Sequence, residues 1–334
     1  MKRFLLILSV VLLAGCHSGR RYFPADITPQ MPSIVRFDSA LISLSYEADC
    51  SGISHLFVQY PDFMSVFSDD IIGIPIADTA LLCEAVQAFL GDTTYGFRQT
   101  NDCVMRTFAD IDPIRNELAQ AFGRMKYLYA DFPVPEITFV VTGFNASLFF
   151  WDDNRVAVGT DMYLGSDYPL YNGVVHRYQM QTMRPECIPA DVISACLFRY
   201  LPYTSTQSRL LENMLYRGKI MFLLSLLLPD EPAWEVMGYT QEQWQWAERN
   251  EAAVWRMMVD KHDLFKTDSP VLTSYLNDGP FTSEISQEAP ARLGTWIGWR
   301  IAESYMNHNP EVTLCQLMAE PDAQLILEQS FYHP

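Results

Sequence analysis

The apolar run at the amino terminus stops after ten residues, Phe4 to Leu13, and that length decides where the rest of the chain folds. Lys2 and Arg3 precede it, and Leu13-Ala14-Gly15-Cys16 closes it. A bilayer span needs about 20 apolar residues, so the run reads as the h-region of a signal peptide rather than a retained helix. The closing tetrapeptide matches the lipobox of bacterial lipoprotein signal peptidase, which requires small residues before a cysteine that carries diacylglycerol. An ordinary secretory signal with an incidental cysteine is the competing reading. Cys16 is expected to be the acylated mature terminus, anchored by chains that contribute about 0.8 kcal/mol per buried methylene. His17, not an aspartate, follows it, and no acidic run follows. The expected address is therefore the outer membrane, with the anchor in its inner leaflet and the body in the periplasm.

Residues 1–15 are thus expected to be removed. The next stretch, 16–35, carries Pro24, Pro29 and Pro32 with few periodic apolar positions and reads as a tether. The remainder, 36–334, is long enough for a single domain with its own core. The full chain has a net charge of −17, and loss of Lys2 and Arg3 takes it to −19. Such a surface excludes nucleic acid as a partner, because binding it needs cations that release counterions. Besides Cys16, the seven cysteines include Cys50, Cys83, Cys103, Cys187, Cys196 and Cys315. None has C-x-x-C spacing. The compartment permits disulfides, but plain buried thiols are expected to outnumber bridges.

Thr79 to Leu90 reads as a helix. Asp112-Pro113 starts another, with Ile114, Leu118, Phe122 and Met125 at helical spacing. Ile137 to Thr142 and Arg155 to Thr160 are β-rich and form a hairpin or two separate sheet strands, with a turn at Trp151 to Asn154. From residue 170 the pattern turns helical, over 189–201, 207–228, 241–262, 291–308 and 321–329. Thr240 and Gln243 make a capping box for the third of these. The apolar run 220–228 ends at Pro229 and is too short to span a membrane. The fold class is α+β, a small N-terminal sheet followed by a mainly helical body.

The motifs of familiar hydrolases are missing. The six histidines are too scattered for H-E-x-x-H, in which two imidazoles one helical turn apart meet one zinc ion. G-x-S-x-G and the glycine-rich phosphate loops are also absent. No metal ligand set and no cofactor is expected. What stands out is residues 289–306, where Leu293, Ile297, Ile301 and Tyr305 form a stripe. Gly294 and Gly298 beside the stripe allow another helix to approach closely. Arg300 projects from the apolar side and needs a carboxylate. Glu251, between Trp244 and Trp255, and Glu212 are the two candidates. Either a structural ion pair or the wall of a binding cleft results.

"GTWIGWRIAESYM", "GYTQEQWQWAERNEAAVW", "TDMYLGSDYPLY" and "SFYHP" together resemble the gliding-motility lipoprotein GldB family of Bacteroidetes over most of the mature chain. The resemblance implies a non-catalytic envelope lipoprotein that contacts other proteins of a motility or type IX secretion machinery. That family is distantly similar to zincin-type metallopeptidases, which implies a degenerate zincin-like scaffold. There, a helix carries H-E-x-x-H and the next supplies a glutamate ligand before a glycine. The matching segments here are "PADVISACLFRYLP", with Ser194 and Ala195 where the motif would start, and "LLENMLYRGK", with Arg217 before Gly218. An arginine repels a divalent ion, so the resemblance implies a pseudo-peptidase that keeps a cleft. Two other readings stay open: a metal-dependent peptidase with an unrecognised ligand set, and a peptide- or glycan-binding lipoprotein using the Trp-rich helices.

Overall fold

The computed structural model describes residues 22–44 and 50–334. The expected lipidation site Cys16 lies outside them. Four strands form one sheet in the order β1-β2-β4-β3: β1 (Ile34–Arg36), β2 (Glu136–Val140), β3 (Leu148–Asp152) and β4 (Arg155–Gly159). β1 and β4 both run parallel to β2, and β3 pairs antiparallel with β4 at the edge. The two central strands are apolar and buried from their second residue onward, as expected where both faces of a parallel pair are covered. The two strands read from the sequence are therefore parallel neighbours, not a hairpin. The hairpin joins β4 to β3, whose unbroken "LFFWD" run offers no alternation to read.

After β1 come the short or middling helices α1 (Phe37–Ile42), α2 (Cys50–Gln59), α3 (Pro61–Val66), α4 (Thr79–Gly91) and α5 (Phe97–Thr107). A π-turn, Phe67–Ile72, extends α3 and stops at Gly73, whose φ of 77° suits glycine. Then α6 (Asp112–Leu128), with proline in its first turn, leads into the sheet. After the sheet come α7 (Ile188–Tyr200), α8 (Leu210–Leu227), α9 (Ala233–Met237), α10 (Gln241–Asp260), α11 (Ser269–Leu276), α12 (Leu293–His308), α13 (Leu314–Ala319) and α14 (Ala323–Ser330). The molecule is α+β with its sheet early in the chain and a helical body behind it. Thr240 and Gln243 make both hydrogen bonds of the capping box. Among the described residues no helix is long and apolar enough to cross a membrane.

The body is organised by the crossing of α8 and α12. A Cβ placed on Gly218 would lie 2.1 Å from the carbonyl carbon of Gly298, and one on Gly298 would lie 2.0 Å from the oxygen of Met214. Glycine on both sides lets the two backbones touch. Gly294, one turn earlier, faces Tyr275 of α11 instead. One contiguous apolar core runs from Phe37 to Tyr332.

The structure corrects the extent of the tether. Tyr22 meets the Phe222 ring edge-on at 6.0 Å, Phe23 meets Tyr127, and the Gln30 amide donates to the Ala119 carbonyl at 2.9 Å. Residues 22–33 are strapped along the body and end in strand β1, because the proline spacing that argues against a helix suits an extended chain equally well. Four thiols, those of Cys103, Cys187, Cys196 and Cys315, are free. Cys83 is disulfide-bonded.

Candidate functional site

Helix α7 buries Val192, Ile193, Cys196 and Leu197 and turns Asp191 and Ser194 toward a cleft. The cleft, about 320 Å³, is bounded by Ser147 and Leu148 at the start of edge strand β3, by Tyr163, and by Arg292 ahead of α12. Tyr163 donates its hydroxyl to Asp191 Oδ2 at 2.8 Å. Burial pushes the Asp191 carboxyl up from its ordinary 3.8 to about 6, against the opposing pull of that hydrogen bond and of Arg292. Arg292 sits at the N-cap of α12 with a left-handed φ of 58°. Its guanidinium donates to the Met237 carbonyl and pairs with Asp278 at 2.9 Å. Gly238 makes room for it, since a Cβ there would stand 2.7 Å from Arg292 Nη2. On the far wall Arg184 pairs with Glu235 at 2.9 Å.

A second hollow adjoins the first and shares Ser194, Met221, Asp278 and Arg292 with it. Its other walls are Phe198, one turn beyond Ser194 on α7, and Arg217 of α8. The structure thus gathers Ser194, Phe198 and Arg217 around one hollow. Ala195, beside Ser194 in the sequence, lines neither hollow. Arg217 donates from Nη1 to the Leu276 carbonyl at 2.7 Å, and burial lowers its pKa from the ordinary arginine value. With Arg292 beside it, the hollow presents two guanidiniums and one carboxylate, Asp278. Such a wall offers hydrogen-bond donors to an acceptor-rich chain. In the first cleft burial holds the Cys187 thiol up at about 12, so no thiolate forms there at neutral pH. Among the described residues no group of three or more His, Cys, Asp or Glu side chains could hold a metal ion.

Arg300 lies elsewhere, on the α10–α12 face. Its Nε reaches Glu251 at 3.2 Å and its Nη1 reaches Glu303 at 2.5 Å. Tyr332 donates its hydroxyl to the same Glu251 oxygen at 2.8 Å, and its ring meets Trp255 edge-on at 5.2 Å. The Arg300 side chain is 37% exposed, so the pair is half-buried rather than sealed in the core. Glu212 takes no part in it. That carboxylate, 4% exposed, is held by Arg209 three residues before it, so it needs no distant partner. Trp296 and Trp299 also belong to the core, edge-on to Trp244, so α12 offers no open indole platform for a sugar.

The model of the family described as gliding motility protein GldB matches residues 24–334. The chain belongs to the GldB family. No curated protein and no solved structure matches it. Three of the four stretches that carry the GldB likeness in the sequence converge on Glu251: α10 supplies it, α12 supplies Arg300, and the C-terminal stretch supplies Tyr332. The fourth, residues 160–171, walls the cleft through Met162 and Tyr163. It is braced by the Tyr171 hydroxyl, which donates to the Asp161 carbonyl at 2.9 Å. Asp191, Tyr163, Asp278 and Arg292 were not legible as site residues. An acid in the first turn of a helix is an ordinary dipole partner, and Arg292 carries no periodic signal.

Proposed function

We propose that this GldB-family lipoprotein is a non-catalytic envelope protein that holds a partner polypeptide in the cleft between β3 and α7. The supporting observation is that Arg217 shares a hollow with Ser194 and Phe198. Where a zincin-like scaffold would bring two imidazoles and a carboxylate to one zinc, this chain presents a hydroxyl, a phenyl ring and a fixed cation. Arginine stays protonated, and its charge opposes a divalent ion at short range. The same guanidiniums suit carbonyl and carboxylate oxygens of a bound chain. Family membership makes another component of a gliding-motility or type IX secretion machinery the partner of choice. Cys16 would supply the lipid anchor, placing the body on the periplasmic side of the outer membrane.

The test is site-specific photocrosslinking in the native envelope, from Ser194 and Leu148 in the cleft and from exposed Phe331 as a control. Crosslinks to one envelope protein from both cleft positions and not from Phe331 support the reading. Equal labelling from all three positions sinks it. So does one tightly held zinc per chain with chelator-sensitive peptide cleavage, which would favour the metal-dependent alternative.

A further inference from the structure

Helix α12 begins at the hollow that holds Ser194, Phe198 and Arg217: its N-cap residue Arg292 and its third residue Thr295 both border that space. No side chain caps the helix. Its first intrahelical bond runs from the Trp296 amide to the Arg292 carbonyl, so the amides of Leu293, Gly294 and Thr295 have no acceptor within the helix. Positive partial charge gathers at such an end. A second, independent group is also unspent. Thr295 is 3% exposed, and its hydroxyl is buried without a hydrogen-bond partner. Folded proteins rarely leave such a group idle. Arg217 uses Nη1 on the Leu276 carbonyl and keeps the rest of its five-donor fork.

Excess charge is not what the hollow offers. Asp278 holds Arg292 at 2.9 Å, and Asp191 acts on Arg292 from the adjoining cleft. Asp278 acts on Arg217 as well, without pairing with it directly. A dianion such as phosphate would therefore overcharge the wall. What remains is a set of donors (a helix end, a hydroxyl and a guanidinium) beside the apolar flank of Phe198 and Met221. A single carboxylate answers them with two strong acceptor oxygens and one charge. We infer that this hollow is the carboxylate subsite of the cleft, taking the C-terminal carboxylate or an acidic side chain of the bound chain. The inference rests on the reading of the cleft as a polypeptide site and adds which group of that polypeptide is gripped.

Calorimetric titration of the purified protein with acetyl-Ala-Ala-Phe as acid and as amide, and with acetyl-Ala-Glu-Phe-amide beside acetyl-Ala-Gln-Phe-amide, tests it. In at least one pair the acid should bind about tenfold or more tighter than its neutral twin, the difference expected of a charge-assisted hydrogen bond. Preference in the first pair assigns the subsite to a chain terminus; preference in the second assigns it to a side chain. Arg217→Met should erase the preference. Thr295→Val removes the hydroxyl at nearly constant shape, and should cut the preference severalfold with a melting temperature equal to or above the parent's. A lower melting temperature with the preference intact would make Thr295 structural and overturn the assignment. So would equal affinity within both pairs, no binding of either acid at millimolar concentration, or tighter binding of inorganic phosphate than of either acid. If any of these results accompanied envelope crosslinks confined to the cleft, the subsite would fall and the cleft reading would stand.

Discussion

Gly218 of α8 lies against Gly298 of α12 so closely that neither position has space for a methyl group: the added Cβ would stand 2.1 Å and 2.0 Å from backbone atoms of the opposite helix. Backbone cannot rotate away as a side chain can, so the helices themselves would have to separate. Overpacking commonly costs about 1–3 kcal/mol, and the gain in helix propensity returns only about 1. Gly218→Ala and Gly298→Ala should each lower the melting temperature by several degrees. Gly91→Ala in α4, where the new methyl meets nothing within 4 Å, should be neutral or slightly stabilising. Equal effects at all three positions would mean that the crossing is looser than described.

Glu251 is the hub of the α10–α12 face, because it serves both Arg300 and Tyr332 while Arg300 has Glu303 in reserve. Removing the hub should therefore cost more than removing either spoke. Arg300→Met, on a side chain 37% exposed, is expected to cost about 1 kcal/mol, near the upper end for exposed pairs and well below the 3–5 of a sealed one. Glu251→Ala should cost more, since it strands the Tyr332 hydroxyl as well. Urea unfolding of the two variants and Tyr332→Phe checks the order. A larger loss for Arg300→Met than for Glu251→Ala would contradict it.

How far these relationships could be read from the chain depends on whether they are local. The long helices were legible because apolar residues recur at helical spacing, and the glycine pair in "LGTWIG" announced a close approach. Its partner Gly218 did not, since one glycine in a helix has no direction. Arg300 was visible as a cation on an apolar face, and Glu251 as one of two acids able to meet it. Glu212 misled because its own neighbour Arg209 already satisfied it. Helices α1 to α3 and strand β3 were missed because each is short and continuously apolar or mixed, so periodicity has too few residues to express itself. The cleft was legible only through family likeness. Its walls come from β3, the 160–171 stretch, α7 and the turn before α12, which no local pattern connects.

Two carboxyls raised toward neutrality should give the body an unusual pH profile. Burial raises Asp191 to about 6, and burial together with the nearby Glu231 and Asp230 raises Glu117 to about 7. Glu117 Oε1 is buried without a hydrogen-bond partner. Between the ordinary and raised values the native state binds more protons than the unfolded chain. Stability is therefore fully retained below about pH 4 and falls as pH rises through 6 and then 7. Asp191→Asn should flatten the lower part of that fall and Glu117→Gln the upper part, in melting curves taken from pH 4 to 8. Profiles of both variants that parallel the parent would show that these groups titrate normally.

The proposed loss of catalytic chemistry makes a constructive prediction. If α7 and α8 keep a zincin-like relation, the missing ligands can be put back. Ser194 and Phe198 stand one helical turn apart and share a hollow with Arg217. Ser194→His and Phe198→His would supply two imidazoles at i, i+4, and Arg217→Glu would replace a cation with the third ligand, the number an open zinc site requires. Phe198 is already 36% exposed, so the exchange leaves the core intact. The triple variant should retain one zinc per chain through dialysis, and the parent should retain none. The double histidine variant that keeps Arg217 should bind far more weakly, because a guanidinium fixed at the third position repels the ion. Zinc content by atomic spectroscopy, with a melting curve to confirm folding, decides the matter. A folded triple variant that takes up no zinc would show that the two helices do not stand in the required relation. The cleft would then owe its shape to partner binding alone.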